Sequence, residues 1–282
     1  MNFHRPLRPW RTARRALALG QRTCVMAILN LTPDSFYAPS RLGANFVEAA
    51  RAALDQGADI LDLGAESTRP GATPLSPADE AARLLPALVT VRRAFPDALL
   101  SVDTRHTSTA AAALDSGADI INDVTALEDP AMAPLLARAG CGAILMHHRG
   151  DFATMHRLPD LADPLATVHA GLAAIRDRAL AAGIAPDQIA LDPGFGFGKN
   201  LDQNFPVLAG LDLLHALGAP LVAGLSRKSF LGPGAPEQRL PATLAASTAA
   251  LLAGAHILRV HDVAATRAAA AVADRLLASS HP

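Results

Sequence analysis

Three stretches of this 282-residue chain echo one another: ALDQGADILDLG (53–64), ALDSGADIINDV (113–124) and LLAGAHILRVHDV (251–263). Each joins the end of an Ala/Leu-rich helix to a glycine suited to a left-handed stop, then to a short β-branched run. A helix–stop–strand unit used repeatedly points to a parallel sheet, because parallel strands need long crossover connections. The same pattern elsewhere gives eight expected strands: Val25–Leu29, Asp59–Leu63, Leu99–Val102, Ile120–Ile121, Gly142–Met146, Ile189–Leu191, Pro220–Ala223 and Ile257–Val260. They are nearly continuous apolar runs, as strands buried on both faces must be. Helical patterns lie between them. One opens with Ser76 as cap and Pro77 in the first turn, others run over 161–182 and from Pro241 onward. Eight such units spread over 282 residues fit a single α/β domain of the (β/α)8 TIM-barrel type, which needs about 250 residues. A doubly wound open sheet would use fewer strands.

Composition removes several other classes. Half of the residues are hydrophobic and 18% are charged, which supplies a core and excludes a disordered chain. Lys+Arg 25 against Asp+Glu 26 leaves no basic excess for nucleic acid, and 4% aromatics leave no stacking platform. Cys24 and Cys141 are too few for a disulfide framework and read as buried thiols in a reducing cytosol. Residues 1–22 carry six arginines and no acid, the charge pattern of a transit peptide. Pro6 and Pro9 interrupt it and no apolar segment follows. We therefore expect an Arg-rich leader (1–22), loose or packed on the surface, ahead of a barrel domain (23–282). Leu240–Leu258 has no Asp, Glu or Lys and no Arg, yet Pro241, Thr243, Ser247, Thr248 and Gly254 punctuate it. A helix stopping at Gly254 and a strand after it explain this run better than a membrane span.

The polar residues at the strand ends point to function. The C-terminal ends carry, in order, Asn30, Glu66 to Arg69, Asp103, Asn122, His147, Asp192, Ser226 to Ser229, and Arg259 with His261. Barrel enzymes place their chemistry at that end. One such residue could be a helix cap, but eight in register are not explained as caps alone. In DPGFGFGKN (192–200) the glycines alternate, so the backbone can approach a flat ligand while Phe195 and Phe197 offer ring faces. Asn200 stands where a phosphate-binding P-loop needs Ser or Thr. Asp192 can accept paired N–H bonds from a guanidine-like heterocycle edge; a capped glycine turn is the equal alternative. In GLSRKSFLG (224–232) Lys228 can donate to a ligand carbonyl, contact a phosphate or form a Schiff base, and Ser229 can offer a hydroxyl to a carboxylate. Arg259 and His261 alternate across Val260 and suit a pyrophosphate, or form a solvated surface pair. Asn30 offers a neutral oxygen of the kind Mg²⁺ takes beside substrate phosphates. His147 and His148 are adjacent and do not share a metal by strand geometry.

Taken together, ILNLTPDSF (28–36), ESTRPGA (66–72), SVDT (101–104), IIND (120–123), LMH (145–147), DPGFGFGKN, SRKS (226–229) and ILRVHD (257–262) resemble dihydropteroate synthases, pterin-binding enzymes, from about Cys24 to Val263. That family joins 6-hydroxymethyl-7,8-dihydropterin diphosphate to p-aminobenzoate, giving 7,8-dihydropteroate and pyrophosphate on the route to tetrahydrofolate. The resemblance implies that Asp103, Asn122, Met146, Asp192, Gly224 and Lys228 hold the pterin. It assigns Asn30, Arg259 and His261 to the diphosphate, with Asn30 also on Mg²⁺. Thr68, Arg69, Pro70, Phe197 and Ser229 fall where p-aminobenzoate is received. Lys228, Asp103, Arg259 and His261 would carry the catalytic roles. It further implies a cytoplasmic homodimer that sulfonamides target, with small-molecule substrates and no nucleic-acid or membrane partner.

One stretch departs from the family pattern. After TPDSF the family continues Ser-Asp-Gly-Gly, and this chain reads Tyr37-Ala38-Pro39-Ser40. Ala38 cannot supply the carboxylate, and Pro39 stiffens the backbone. A non-catalytic or slow pterin-binding paralogue is therefore one alternative. The others are a pterin-dependent methyltransferase, which has no use for SRKS, and an aldolase using Lys228.

Overall fold

The computed structural model describes residues 3–31, 42–66, 74–150, 155 and 158–280. The three echoing glycines behave as their sequence context requires. Gly57, Gly117 and Gly254 adopt φ of +95°, +97° and +94°, which a side chain rarely tolerates. Each ends a helix and turns the chain into a strand.

The strands are β3 (Cys24–Asn30), β4 (Ile60–Gly64), β5 (Leu99–Asp103), β6 (Ile120–Asp123), β7 (Gly142–Met146), β8 (Ile189–Asp192), β9 (Val222–Ala223) and β10 (Ile257–Val260). They form one parallel sheet in the order β8-β7-β6-β5-β4-β3-β10-β9. A bridge between Leu191 and Leu221 joins its two ends, so the sheet is a nearly closed barrel. All eight expected strands are present. The seventh is shorter than expected because Pro220 has no N–H to donate; its carbonyl only accepts from Leu191 N–H at 2.9 Å. The crossover helices are α1 (Leu42–Asp55), α2 (Pro77–Ala94), α3 (Thr107–Asp115), α4 (Met132–Ala139), α5 (Pro164–Ala181), α6 (Asn204–Ala209), α7 (Leu240–Leu252) and α8 (Val263–Ser279). Ser76 caps α2 by accepting from Asp79 N–H at 3.1 Å, with Pro77 in the first turn.

Alternation along the strands sorts the barrel into shells. Val25, Leu61, Leu100, Ile121, Leu145, Leu191 and Leu258 point outward and pack under the helices. Met26, Ile60, Leu99, Ile120, Ile144, Ala190, Val222 and Ile257 form an apolar layer inside the lower barrel. The next residue on the inward face of several strands is polar, and that change of layer positions the site.

The Arg-rich leader is not loose or merely surface-packed. Arg8–Arg11 (β1) and Ala16–Leu19 (β2) pair as an antiparallel hairpin across the barrel's lower mouth. Trp10 has no exposed surface, packs on the apolar layer, and donates its indole N–H to the Gln188 carbonyl at 2.9 Å. The arginines are used locally: Arg5 pairs with Asp274, Arg11 with Asp187, and Arg22 with Asp59.

The echoed units repeat one device at this lower end. Asp59 accepts from Val25 N–H, and Asp119 accepts from Leu100 N–H. In the third unit His256 takes the same place and accepts from Leu221 N–H through Nδ1. Cys24 and Cys141 are free, buried thiols. No helix among the described residues is long and apolar enough to cross a membrane.

Candidate active site

Register brings the strand ends into one ring. Asn30, Gly64, Asp103 and Asn122 are successive ladder partners across β3, β4, β5 and β6, and Met146 lies opposite Asp192 across β7 and β8. Gly224 follows β9 directly; a Cβ there would stand 3.7 Å from Asp192 Oδ2, so the bare backbone leaves that carboxylate room. Arg259 enters the ring from β10.

The ring is held by charge. Arg259 donates through Nε to Asp62 Oδ2 and through a terminal nitrogen to Asp103 Oδ2, both at 2.6 Å. Asp62 is fully buried and also accepts from Asn122 Nδ2 at 3.4 Å. Asp192 accepts from Gly194 N–H through Oδ1 at 2.7 Å. Burial pushes the Asp103 carboxyl up to about 7, against Arg259 and with help from Asp62, Glu80 and Glu66. Burial also raises Asp192, opposed by the Gly194 N–H and then by Lys228 and Arg259. Lys228 falls to about 8, first by burial and then by the neighbouring Arg259. Burial lowers Arg259, but Asp62 and Asp103 outweigh it, so the guanidinium stays charged.

The glycine turn and the lysine loop meet at one wall. The Lys228 ammonium sits 4.0 Å from the centre of the Phe197 ring. Phe197 joins Met146, Val124 and Met155 in a small buried apolar cluster. Phe195 instead stacks on Phe230. The two last loops are fastened together. Ser226 Oγ lies 3.0 Å from His261 Nδ1, and Arg227 grips Asp262 with two hydrogen bonds of 2.7 and 3.0 Å. Arg227 has φ of +60°, a strained conformation for arginine, which this grip holds. Ser229 is exposed at the start of a short 3-10 turn beside Lys228.

Thr68, Arg69 and Pro70 lie outside the described residues, as does Tyr37-Ala38-Pro39-Ser40. Beside the first of these segments, Glu66 accepts from Leu75 N–H at 2.9 Å and from Arg105 at 2.9 and 3.1 Å. Two residues placed at the strand-end site escaped sequence reasoning. Asp62 is the acid inside ILDLG, two residues before Gly64 and therefore on the same inward face; that period of two was the available signal. Lys199 is buried against the glycine turn, where it donates to the carbonyls of Gly194 and Phe197. No cluster of three or more His, Cys, Asp and Glu suited to a metal exists among the described residues.

A TIM barrel that gathers Asp62, Asp103, Asn122, Asp192, Lys228 and Arg259 at its strand ends, beside the Phe197–Met146 cluster, has the form of a barrel enzyme with a polar, charge-paired site. Residues 26–261 match the model of the pterin binding enzyme family. The chain belongs to that family, among its dihydropteroate synthases. It is 39% identical over 260 residues to the dihydropteroate synthase of Escherichia coli K12, covering 90% of this chain and 92% of the relative. The enzyme of Neisseria meningitidis serogroup B is 43% identical over 269 residues, covering 91% of this chain and 93% of the relative. Among solved structures, dihydropteroate synthase from Thermus thermophilus in complex with 4-aminobenzoate superposes with a TM-score of 0.85 at 44% identity, covering 95% of this chain and all of that one. The same enzyme in complex with 6HMPPP gives 0.83 at 41% identity, over 96% and 99% of the two chains.

Proposed function

We infer that this chain is a dihydropteroate synthase: it condenses 6-hydroxymethyl-7,8-dihydropterin diphosphate with p-aminobenzoate, giving 7,8-dihydropteroate and pyrophosphate. The observation that carries the reading is the ring of Asp103, Asn122, Asp192, Lys228 and Arg259 beside the Met146–Phe197 cluster. Its acceptors and donors match the edge of a pterin. Asp192 Oδ2 faces the bare backbone of Gly224 and would accept the ring N–H groups, while Lys228 would donate to the ring carbonyl. Thr68, Arg69, Pro70, Phe197 and Ser229 would receive p-aminobenzoate.

Loss of pyrophosphate leaves positive charge on the pterin methylene and ring, and negative charge on the departing group. Arg259 and His261 would take up the second, and the carboxylates of Asp103 and Asp192 the first. The arylamine is already a free nucleophile, so no strong general base is needed. Mg²⁺ fits the donor set. With no acidic cage among the described residues, the ion would keep waters and substrate phosphate oxygens, as Mg²⁺ does, with the Asn30 carbonyl as protein ligand. When bound it would neutralise the diphosphate charge.

The homodimer and the cytoplasmic location belong to the same reading. Val272 and Leu276, one turn apart on α8, are exposed and offer an apolar stripe to a second copy. No observation favours the methyltransferase or the aldolase. The deciding experiment is pyrophosphate release by the purified chain with both substrates and Mg²⁺, blocked by a sulfonamide. Pterin binding without turnover would leave the paralogue instead.

A further inference from the structure

The chain contains 25 cationic side chains of Lys and Arg, and only two of them, Lys199 and Lys228, are lysine. Both stand at the site just described. Lys228 belongs to the pterin ring. Lys199 does not reach it: its ammonium donates to Gly194 O at 2.7 Å and Phe197 O at 3.2 Å, and lies 3.4 Å from His147 Nδ1. We propose that Lys199 is a positioning residue for the pterin site: by gathering these three acceptors it fixes the glycine turn that aims Asp192 and Phe197 at the ring.

The turn needs such an anchor. Gly194, Gly196 and Gly198 all have left-handed φ, +65°, +80° and +68°. A Cβ on Gly194 would meet His147 O at 1.9 Å, and one on Gly198 would meet Arg149 Cβ at 2.5 Å. The turn therefore lies backbone against backbone on the exit of β7; Asn204 Oδ1 accepts from Gly196 N–H at 2.7 Å and Arg149 donates to Gly198 O at 3.0 Å, while Lys199 alone of these side chains holds Gly194 and Phe197. Yet it carries both recognition elements. The Gly194 N–H orients the Asp192 carboxylate, and Phe197 forms the wall beneath Lys228.

The acceptors explain why lysine is retained where the chain otherwise uses arginine. An ammonium has three N–H groups on one compact atom, and three acceptors converge here. A planar guanidinium would not reach all three from a buried position. His147 supports the cage from its far side. Its ring edge packs on α5, where a Cβ on Gly171 would come within 2.4 Å of the imidazole. Burial and the neighbouring Lys199 charge drive its pKa down to about 3, so it stays neutral and able to accept. Burial lowers the Lys199 ammonium to about 7, opposed by Asp192 and helped by Lys228 and Arg149.

The proposal rests on the pterin reading above, so the unmodified chain is measured first. Calorimetric binding of 6-hydroxymethyl-7,8-dihydropterin diphosphate to it tests that reading alone. Lys199→Met is then expected to bind the same ligand at least tenfold more weakly, with the loss in KM for the pterin rather than in kcat at saturation. Lys199→Gln, which keeps neutral N–H donors, should recover part of the affinity. Unmodified affinity in a folded Lys199→Met protein overturns the proposal. Should neither variant fold, lysine labelled with ¹⁵N at Nζ decides in the unmodified chain, because two lysines give two signals. One amine should exchange its protons far more slowly than free lysine, and two freely exchanging amines overturn the cage.

Discussion

Arg259 of β10 reaches past β3 to Asp62 of β4, and the 2.6 Å bond between them ties the guanidinium to a fully buried acid. Arg259 bonds Asp103 at the same distance, so one guanidinium serves two carboxylates. Removing it with Arg259→Met would leave both acids uncompensated, at a cost of about 3–5 kcal/mol. The sign of its pH dependence follows. An acid whose folded pKa is raised contributes stability below its unfolded value and loses it as pH rises through the folded one. Asp103 already stands near 7 with Arg259 present, and removal of the cation pushes it further in the same direction. The stability deficit of Arg259→Met in urea unfolding should therefore be larger at pH 8 than at pH 5.5. Equal deficits at the two pH values would show that Asp103 is not a group that Arg259 compensates.

Asp192→Asn is expected to remove measurable pterin binding while leaving the fold intact. The Gly194 N–H can still be accepted by the amide oxygen, so the glycine turn survives. The amide nitrogen then faces the donor edge of the ligand, and an unpaired buried polar group costs about 1–3 kcal/mol, more when charge is involved. Calorimetry on the folded variant gives the answer, and unchanged affinity would remove Asp192 from the pterin contacts.

The parts of this molecule that were legible in its sequence share a physical reason. A strand buried on both faces must be apolar, so the polar residue that ends it stands out; Asp103, Asn122 and Asp192 were visible for that cause. Asp62 was hidden because a single acid inside ILDLG becomes meaningful only when Arg259, 197 residues away, supplies its partner. Trp10 was hidden for the same kind of reason, since its place is set by the mouth of a barrel not yet formed at that point of the chain. Its bond to Gln188 spans 178 residues. Lys199 was hidden because its acceptors, the carbonyls of Gly194 and Phe197, come from a turn that no pattern of side chains announces.

His256 makes the lower end of the barrel acid-sensitive. Its Nδ1 accepts from Leu221 N–H at 3.1 Å and its Nε2 bonds Pro6 O at 2.8 Å, so the ring must be neutral. Burial lowers its pKa to about 3, with Pro6 opposing. A histidine depressed in this way contributes stability that is present above its unfolded pKa of about 6.5 and lost as pH falls below it. His256→Asn keeps an acceptor for Leu221 and removes the titrating proton. Melting temperature should therefore fall less steeply between pH 6.5 and pH 4.5 in His256→Asn than in the parent, with His147 and His215, both also lowered by burial, contributing to the slope that is left. Parallel pH profiles for the two proteins would assign the acid sensitivity elsewhere.

The last prediction concerns Tyr37-Ala38-Pro39-Ser40, where the family pattern puts an aspartate in place of Ala38. If a carboxylate there stabilises the pterin cation, this chain should bind pterin diphosphate well and turn over slowly. One preorganised electrostatic contact is worth roughly 10²–10³ in turnover, or about 2.7–4 kcal/mol. Ala38→Asp should then raise kcat with little change in pterin affinity, because the contact matters chiefly in the transition state. Pro39 restricts where the new carboxylate can point, so Ala38→Asp combined with Pro39→Gly should gain more than Ala38→Asp alone. Steady-state kinetics beside the Escherichia coli relative supplies the comparison. Turnover of the unmodified chain equal to that relative would mean the charge comes from another acid, and Asp34 in the same motif is then the residue to substitute.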